Sequence, residues 1–177
     1  GYYRGWVDML LMRFTDIVMT FPSIIIMLTL AALLERSLLN LVLIIGGLSW
    51  PPMARLVRGQ FLSAREQDFV LAAQCLGVPH RRIMTLHILP NIISPLIVLA
   101  TLGIGGAILE GSSLSYLGLG AQPMTPEWGA MLSLGRAYLN NAWWISIFPG
   151  IGILLAILSI NMIGEGLSQV LDPLANR

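Results

Sequence analysis

The sequence predicts an all-α fold, a polytopic bundle of transmembrane helices, and two observations support this prediction. Hydrophobic residues fill 56% of the 177 positions and charged residues only 11%, whereas an ordinary soluble domain has roughly 25% charged residues. Too few charges remain to cover a surface that faces water. The 18 glycines and 10 prolines fit the same class, because both are commoner in membrane helices than in soluble ones.

Charge and cysteine content exclude several other classes of protein. Ten basic residues, all arginine, and nine acidic residues give a net charge of +1, which is too small to hold a nucleic acid. The single cysteine, Cys75, excludes an internal disulfide. His80 and His87 have no Cys or carboxylate at ligand spacing, so we expect neither a metal site nor a cofactor.

Four stretches approach the length of about 20 apolar residues that a membrane span needs. The second could continue past its two prolines as a kinked helix. In the first, Asp16 follows Arg13 by three residues, a spacing that favours an ion pair on the helix surface. The third contains Gly103, Gly105 and Gly106, which permit close approach of another helix. The predicted spans are residues 14–34, 38–53, 89–109 and 145–163.

The arginines predict the orientation of these spans. With both termini in the cytoplasm, eight arginines lie inside and only Arg36 and Arg136 lie outside, as the positive-inside rule requires. The segment between the second and third spans is then cytoplasmic. The segment between the third and fourth spans is external, and Thr125, Pro126 and Glu127 predict the start of a short helix there. We expect that helix to lie at or dip into the outer surface, and packing on the bundle explains its apolar face equally well.

A helix–glycine–helix unit is expected in the cytoplasmic loop of residues 63–88. Ser63 and Glu66 have the spacing of a capping box, which predicts that a helix begins at Ser63. Gly77 stands where a left-handed C-terminal cap is expected. Pro79 can then open a second short helix.

The first helix of this loop carries an apolar stripe at helical spacing, and the basic pair Arg81 and Arg82 follows only after the turn. Two interpretations stay open for the loop. It could be an amphipathic pair of helices in contact with membrane lipid, or a docking element for a cytoplasmic protein. The alanines in the stripe favour docking, because small residues let another protein approach closely. The stripe consists of Phe69, Ala72, Ala73 and Leu76.

Residues 68–90 also contain a spaced sequence motif, in which an alanine pair is followed by a glycine and then by Leu-Pro. The two alanines are followed after three residues by Gly and, further on, by His-Ile-Leu-Pro. This resembles the cytoplasmic loop of ABC importer permeases, whose pattern is Glu-Ala-Ala, three residues, Gly, nine residues and Ile-x-Leu-Pro. Leu71 stands where the family has Glu, and His87 where it has Ile. The matching positions are Ala72, Ala73, Gly77, Leu89 and Pro90.

Further motifs extend the resemblance along nearly all of the chain. They are GYYRGWVD at 1–8, RLVRG at 55–59, HILPN at 87–91, SLSYLGLG at 113–120, WGAM at 128–131 and LDP at 171–173. In this order they are similar to the second permease subunit of dipeptide, oligopeptide and nickel importers. Residues 1–177 are therefore expected to form one permease domain, truncated at its N-terminus and holding the last four of six spans.

The resemblance implies a peptide permease subunit in the inner membrane of a bacterium or archaeon. Such a subunit pairs with a second permease subunit, two cytoplasmic ATPase subunits dock on the loop, and an external binding protein delivers the substrate. We expect no catalytic residue in this chain, which lacks a Gly-rich phosphate loop with Lys. The docking residues would be Phe69, Ala72, Ala73, Leu76, Gly77, Arg81, Arg82, Leu89 and Pro90.

Glu110, Ser112 and Ser113, near the external end of the third span, are candidates for the substrate pathway, because acids near a span are costly and often functional. Nickel or another small solute is the alternative substrate, since these importers share their motifs. An intramembrane hydrolase would need a base beside its serine, and both histidines are expected on the opposite face. A simple channel would not need a docking loop.

Overall fold

The computed structural model describes residues 1–120 and 125–171, and every regular element within them is helical. The all-α prediction is confirmed. A π-helical segment, Ile83–Ile88, joins α5 to α6. The last two residues of the LDP motif and Arg177 lie outside the described residues. The helices are α1 (Trp6–Thr20), α2 (Ser23–Leu33), α3 (Leu38–Arg65), α4 (Asp68–Cys75), α5 (His80–Arg82), α6 (Leu89–Tyr116), α7 (Trp128–Gly135) and α8 (Trp144–Leu171).

Three helices are long and apolar enough to cross a membrane: Leu38–Arg65, His80–Tyr116 and Trp144–Val170. They contain the second, third and fourth predicted spans, and each is longer than predicted. Helices α1 and α2 pass the same test together, but they are bent by 77° at the break between them. By length and composition, the described residues therefore hold three candidate spans, or four if the bent pair forms one.

The first predicted span, residues 14–34, is not one continuous helix, because the chain leaves the helical conformation before Pro22. Phe21 is extended, with φ −92° and ψ 138°, as is typical of a residue that precedes proline. Pro22 has no amide proton with which to continue the hydrogen bonds of α1. The break separates α1, which carries charged residues, from α2, which has none.

Helix α3 continues through both of its prolines to Arg65. Ser63 thus lies in its last turn, where the Ser63 carbonyl accepts a hydrogen bond from the Glu66 amide at 3.2 Å. The predicted capping box is therefore wrong, because Ser63 helps to end one helix instead of starting the next. The next helix, α4, begins at Asp68.

The second short helix and the third span, predicted as separate elements, are one continuous helix of 37 residues. Pro90 lies in the first turn of α6, directly after the π-helical segment. A π turn contains an extra residue, and this shifts the carbonyl that the proline ring would strike in a regular helix. The helix consequently passes Pro90 without a break.

Helices α6 and α8 pack antiparallel through small residues. A methyl group added at Gly164 would overlap with the side chain of Thr101. One added at Gly105 would lie 3.2 Å from the Ile157 side chain. The expected close approach of another helix is confirmed at Gly105, whereas two further glycines of the same run border the cavity described below.

Helix α7 begins at Trp128, later than the predicted start. Glu127 is extended, and its carboxylate accepts a hydrogen bond from the Ser115 hydroxyl at 2.7 Å. Gly129 lies so close to the backbone of Ser112 that no side chain would fit between the helices. Helix α7 therefore packs on the bundle.

Candidate functional site

The turn after α4 is closed by hydrogen bonds. Gly77 has φ +73°, a value that residues with a side chain rarely adopt. The Gly77 amide donates to the Gln74 carbonyl at 3.0 Å, and the Val78 amide donates to the Ala73 carbonyl at 3.1 Å. These two bonds form a Schellman motif. The predicted helix–glycine–helix geometry is present, and the turn is tightly defined.

Helix α4 has a buried face and an exposed face. Val70 and Ala73 are buried in one apolar cluster with Ile83 and Ile88 of the π-helical segment. The exposed face includes Leu76, which is 84% exposed. We call the three exposed residues of the predicted stripe the outer stripe, and they are Phe69, Ala72 and Leu76.

This burial divides the predicted stripe of four residues. Ala73 points into the protein, so it is not available for contact with a partner. Val70, beside it, is completely buried and was not among the predicted site residues. The spacing of Val70, Ala73 and Gly77 at i, i+3 and i+7 is the signal that could have indicated this second face.

The other predicted docking residues are exposed, but they are spread along the following helix. Arg81 and Arg82 lie in α5, just after the turn. Leu89 and Pro90 lie in the first turn of α6. The π-helical segment separates the two pairs. Only the arginines therefore adjoin the turn.

Tyr2 connects the loop to α3 by hydrogen bonds. Tyr2 is buried, with 5% of its surface exposed. Its hydroxyl lies 2.9 Å from Nδ1 of His80 and accepts a hydrogen bond from Nε2 of Gln74 at 3.4 Å. The Arg65 guanidinium donates to the Tyr2 carbonyl at 2.7 Å. Tyr2 thus joins the end of α3 to the helices on both sides of Gly77.

Three ion pairs connect residues 4–16 with residues 55–66. In the least exposed one, Arg58 donates to Asp8 through Nε at 3.0 Å and Nη2 at 2.8 Å. Asp16 pairs with Arg55 at 2.7 Å, so the expected Arg13–Asp16 pair is wrong. Because α1 lies beside α3, the Asp16 carboxylate contacts Arg55 of α3 instead. The pairs are Arg4–Glu66, Asp8–Arg58 and Asp16–Arg55.

An open cavity of about 950 Å³ lies between the α1–α2 break, α3 and α6. Its wall is mostly apolar. Among the described residues that line it, Glu110 is the only charged one. The structure therefore places this predicted pathway residue on a cavity wall. Other lining residues are Met27, Ile45, Gly46, Gly103, Gly106 and Ala107.

The two serines predicted together with Glu110 are elsewhere. The backbone of Ser112 packs against Gly129 of α7. The Ser113 hydroxyl donates to the Leu109 carbonyl at 2.7 Å, within α6. Neither serine belongs to the described lining of the cavity.

Comparison with known proteins gives a consistent result. Residues 1–177 match the family described as binding-protein-dependent transport system inner membrane component. The chain is 48% identical over 173 residues to the dipeptide transport system permease protein DppC of Alkalihalophilus pseudofirmus, covering 98% of this chain and 57% of that protein. It is 42% identical over 172 residues to the glutathione transport system permease protein GsiD of Escherichia coli O157:H7, and this match covers 97% of this chain and 57% of that protein.

The chain therefore spans 57% of the length of these relatives. The family match extends over the whole chain, including the helix–glycine–helix loop and the three long apolar helices. The resemblance inferred from the motifs is confirmed. The chain belongs to the family of binding-protein-dependent transport system inner membrane components, which are multi-pass membrane permeases.

Proposed function

We propose that the complete protein is a permease subunit of an ATP-driven importer and forms half of a translocation pathway for peptides. The relatives described above are named for transport of dipeptides and glutathione. Both substrates are small peptides, which favours a peptide over nickel or another small solute. In this proposal the chain contributes no catalytic residue, and ATP is hydrolysed by two partner ATPase subunits.

The outer stripe is the observation that carries the proposal. Its three residues are exposed on a short helix that is buried at Val70 and Ala73 and whose C-terminus is closed by a Schellman motif. An exposed apolar patch is typical of a protein interaction site. A helix attached this firmly can pass the movement of a docked partner to the membrane helices. We assign the outer stripe, with Arg81 and Arg82 beside it, to ATPase docking.

The arginines support a cytoplasmic location for this loop. Arg65, Arg81 and Arg82 flank α4. Arg4 pairs with Glu66, just before this helix, whereas Arg136 follows α7 at the opposite end of α6. An excess of arginine is typical of the cytoplasmic side. Both ends of this chain would then be cytoplasmic, and an external binding protein would deliver the substrate at the α7 end. The coupling loop would begin after Arg65, where α3 ends.

The transport step follows from these attachments. A movement of α4 would reach α6 through the Gly77 turn, and it would reach α3 through the buried cluster and Tyr2. Rocking of helices around a central site is the usual mechanism of alternating access. The cavity between α3 and α6 would open to one side of the membrane and then to the other. A second permease subunit would supply the facing half of the pathway.

The test is Leu76→Glu in the full-length protein, assembled with its second permease subunit, ATPases and binding protein. A carboxylate in the outer stripe should oppose docking, and we expect substrate-stimulated ATP hydrolysis to fall by at least about tenfold, as for an interface hot spot. The amount of permease pair in the membrane should not change. Hydrolysis is measured in proteoliposomes and ATPase retention by copurification.

Leu71→Glu is the matched control. Leu71 lies on the same helix and is 47% exposed, but it is outside the outer stripe and occupies the position where the family has Glu. This variant should keep stimulated hydrolysis near the wild-type level. If Leu76→Glu also kept it, the outer stripe would not be the docking surface.

A further inference from the structure

The cavity combines apolar walls with one carboxylate. Glu110 is half-buried. None of the salt bridges between described residues includes it. Of the two hydroxyls in the lining, that of Ser49 already donates to the Ile45 carbonyl at 2.6 Å. A cavity of this kind leaves one strong acceptor for a ligand.

Glu110 lies next to a close contact between α6 and α3. Gly111 is buried, and a methyl group added to it would lie 3.4 Å from Leu41 and 3.5 Å from Ile45 of α3. Glu110 is consequently held beside this contact, at the edge of the cavity. Gly103 and Gly106 lie on the same side of α6, seven and four residues earlier, and nothing lies within 4 Å of a side chain added at either position. Because neither glycine has a side chain, this part of the cavity wall stays open.

These properties fit an organic cation better than a metal ion. A hard divalent cation needs six or more oxygen ligands, and within the described residues no three His, Cys, Asp or Glu side chains could hold a metal. A primary ammonium group needs only a few acceptors, and the apolar body attached to it can occupy the apolar wall. The volume of about 950 Å³ is within the usual range of roughly 300–1,000 Å³ for small-ligand sites.

We propose that the Glu110 carboxylate binds the N-terminal ammonium group of the transported peptide. This inference rests on the proposed function and adds a specificity-determining residue to it. Peptides with a free amino group would be retained in the cavity, and peptides with a blocked amino group would not. The carboxylate would make a charge-assisted hydrogen bond with the ammonium group in a largely apolar site.

The experiment places a reporter thiol beside Glu110. Gly106→Cys is introduced into the full-length protein in its complex, with Cys75→Ser and no other reactive cysteine. Two probes are compared, an aminoethyl methanethiosulfonate, which carries an ammonium group, and the neutral methyl methanethiosulfonate. The ratio measured is the reaction rate of the ammonium probe divided by that of the neutral probe. We expect Glu110→Gln to lower this ratio by about tenfold, the loss typical of a hydrogen bond to a charged group. Glu35→Gln, an exposed acid outside the cavity, should leave the ratio unchanged.

Protection by peptide gives the second measurement. Dialanine should slow labelling of the Gly106→Cys thiol, N-acetyl-dialanine should not, and Glu110→Gln should remove this difference. Equal protection by both peptides, or an unchanged rate ratio in Glu110→Gln, would overturn the inference. The inference would also be overturned if the Glu110→Gln complex lost the second permease subunit while the wild-type complex kept it. Glu110 would then pair with that subunit and not with the peptide.

Uptake by the wild-type complex separates this inference from the proposed function. If proteoliposomes with the wild-type complex import neither labelled dialanine nor labelled glutathione, the proposed peptide transport is wrong. If they import one of them, and Glu110→Gln imports it with the same preference for a free amino group, only the role of Glu110 is wrong.

Discussion

The hydroxyl of Tyr2 lies 2.9 Å from Nδ1 of His80, the first residue of α5. The same oxygen accepts a hydrogen bond from Gln74 of α4. One hydroxyl therefore contacts the helices on both sides of the Gly77 turn. Because Arg65 holds the Tyr2 backbone at the end of α3, a movement of the loop should reach α3 through this side chain.

Tyr2→Phe tests this connection with a minimal change. The ring can remain in its buried cluster, while the hydrogen bonds of the hydroxyl are lost, at a cost of about 1–2 kcal/mol. We expect the complex to assemble but to transport less peptide for each ATP hydrolysed. The measurement is the ratio of uptake to ATP hydrolysis in proteoliposomes. Tyr3→Phe is the control, because Tyr3 is 65% exposed, and an unchanged ratio in Tyr2→Phe would contradict the connection.

Local patterns predicted the elements that depend on nearby residues. The three long spans follow from apolar runs of sufficient length, and the Gly77 turn follows from a glycine at the end of a short helix. Both depend on hydrogen bonds between residues that are close in the sequence. The capping box failed for a tertiary reason, because α3 continues past its prolines and includes Ser63 in its last turn.

Contacts between distant residues could not be predicted in this way. Tyr2 finds its partners 63 to 78 residues away, and no periodicity links them. Asp16 has a possible partner three residues away but pairs with Arg55 on α3. Similarly, Glu110 borders the cavity and Ser112 and Ser113 do not, and this depends on how α6 packs on α3 and α7.

Gly77→Val tests the turn. A β-branched side chain at φ +73° should cost about 1–2 kcal/mol of strain. We expect the permease to insert normally and, if α4 is the proposed docking helix, to retain less ATPase, because the turn would no longer hold α4 in its present orientation. The measurement is copurification of the ATPase subunits with the permease pair. Gly166→Val adds the same side chain to α8 where nothing lies within 4 Å, and equal ATPase retention in both variants would contradict the prediction.

The ion pairs between α1 and α3 should differ in strength. Asp8 is 12% exposed and accepts hydrogen bonds from two nitrogens of Arg58, so Asp8→Asn should destabilise the packing of α1 by about 1–3 kcal/mol. In the Asp16–Arg55 pair both side chains are nearly half exposed, and Asp16→Asn should cost less than about 1 kcal/mol. Thermal unfolding in detergent measures both variants. An equal loss of stability in the two variants would show that burial does not determine how much each ion pair contributes.

The location of Cys75 tests the orientation of the whole bundle. This thiol is exposed on α4, on the helix that carries the outer stripe. In inside-out vesicles that contain the complete permease without ATPases, a membrane-impermeant thiol reagent should label it, and adding the ATPases should protect it. Leu134→Cys with Cys75→Ser gives the matched probe, because Leu134 is 71% exposed on α7 at the opposite end of the bundle. Its thiol should react only in right-side-out vesicles, and the reverse pattern at the two sites would overturn both the orientation and the docking assignment.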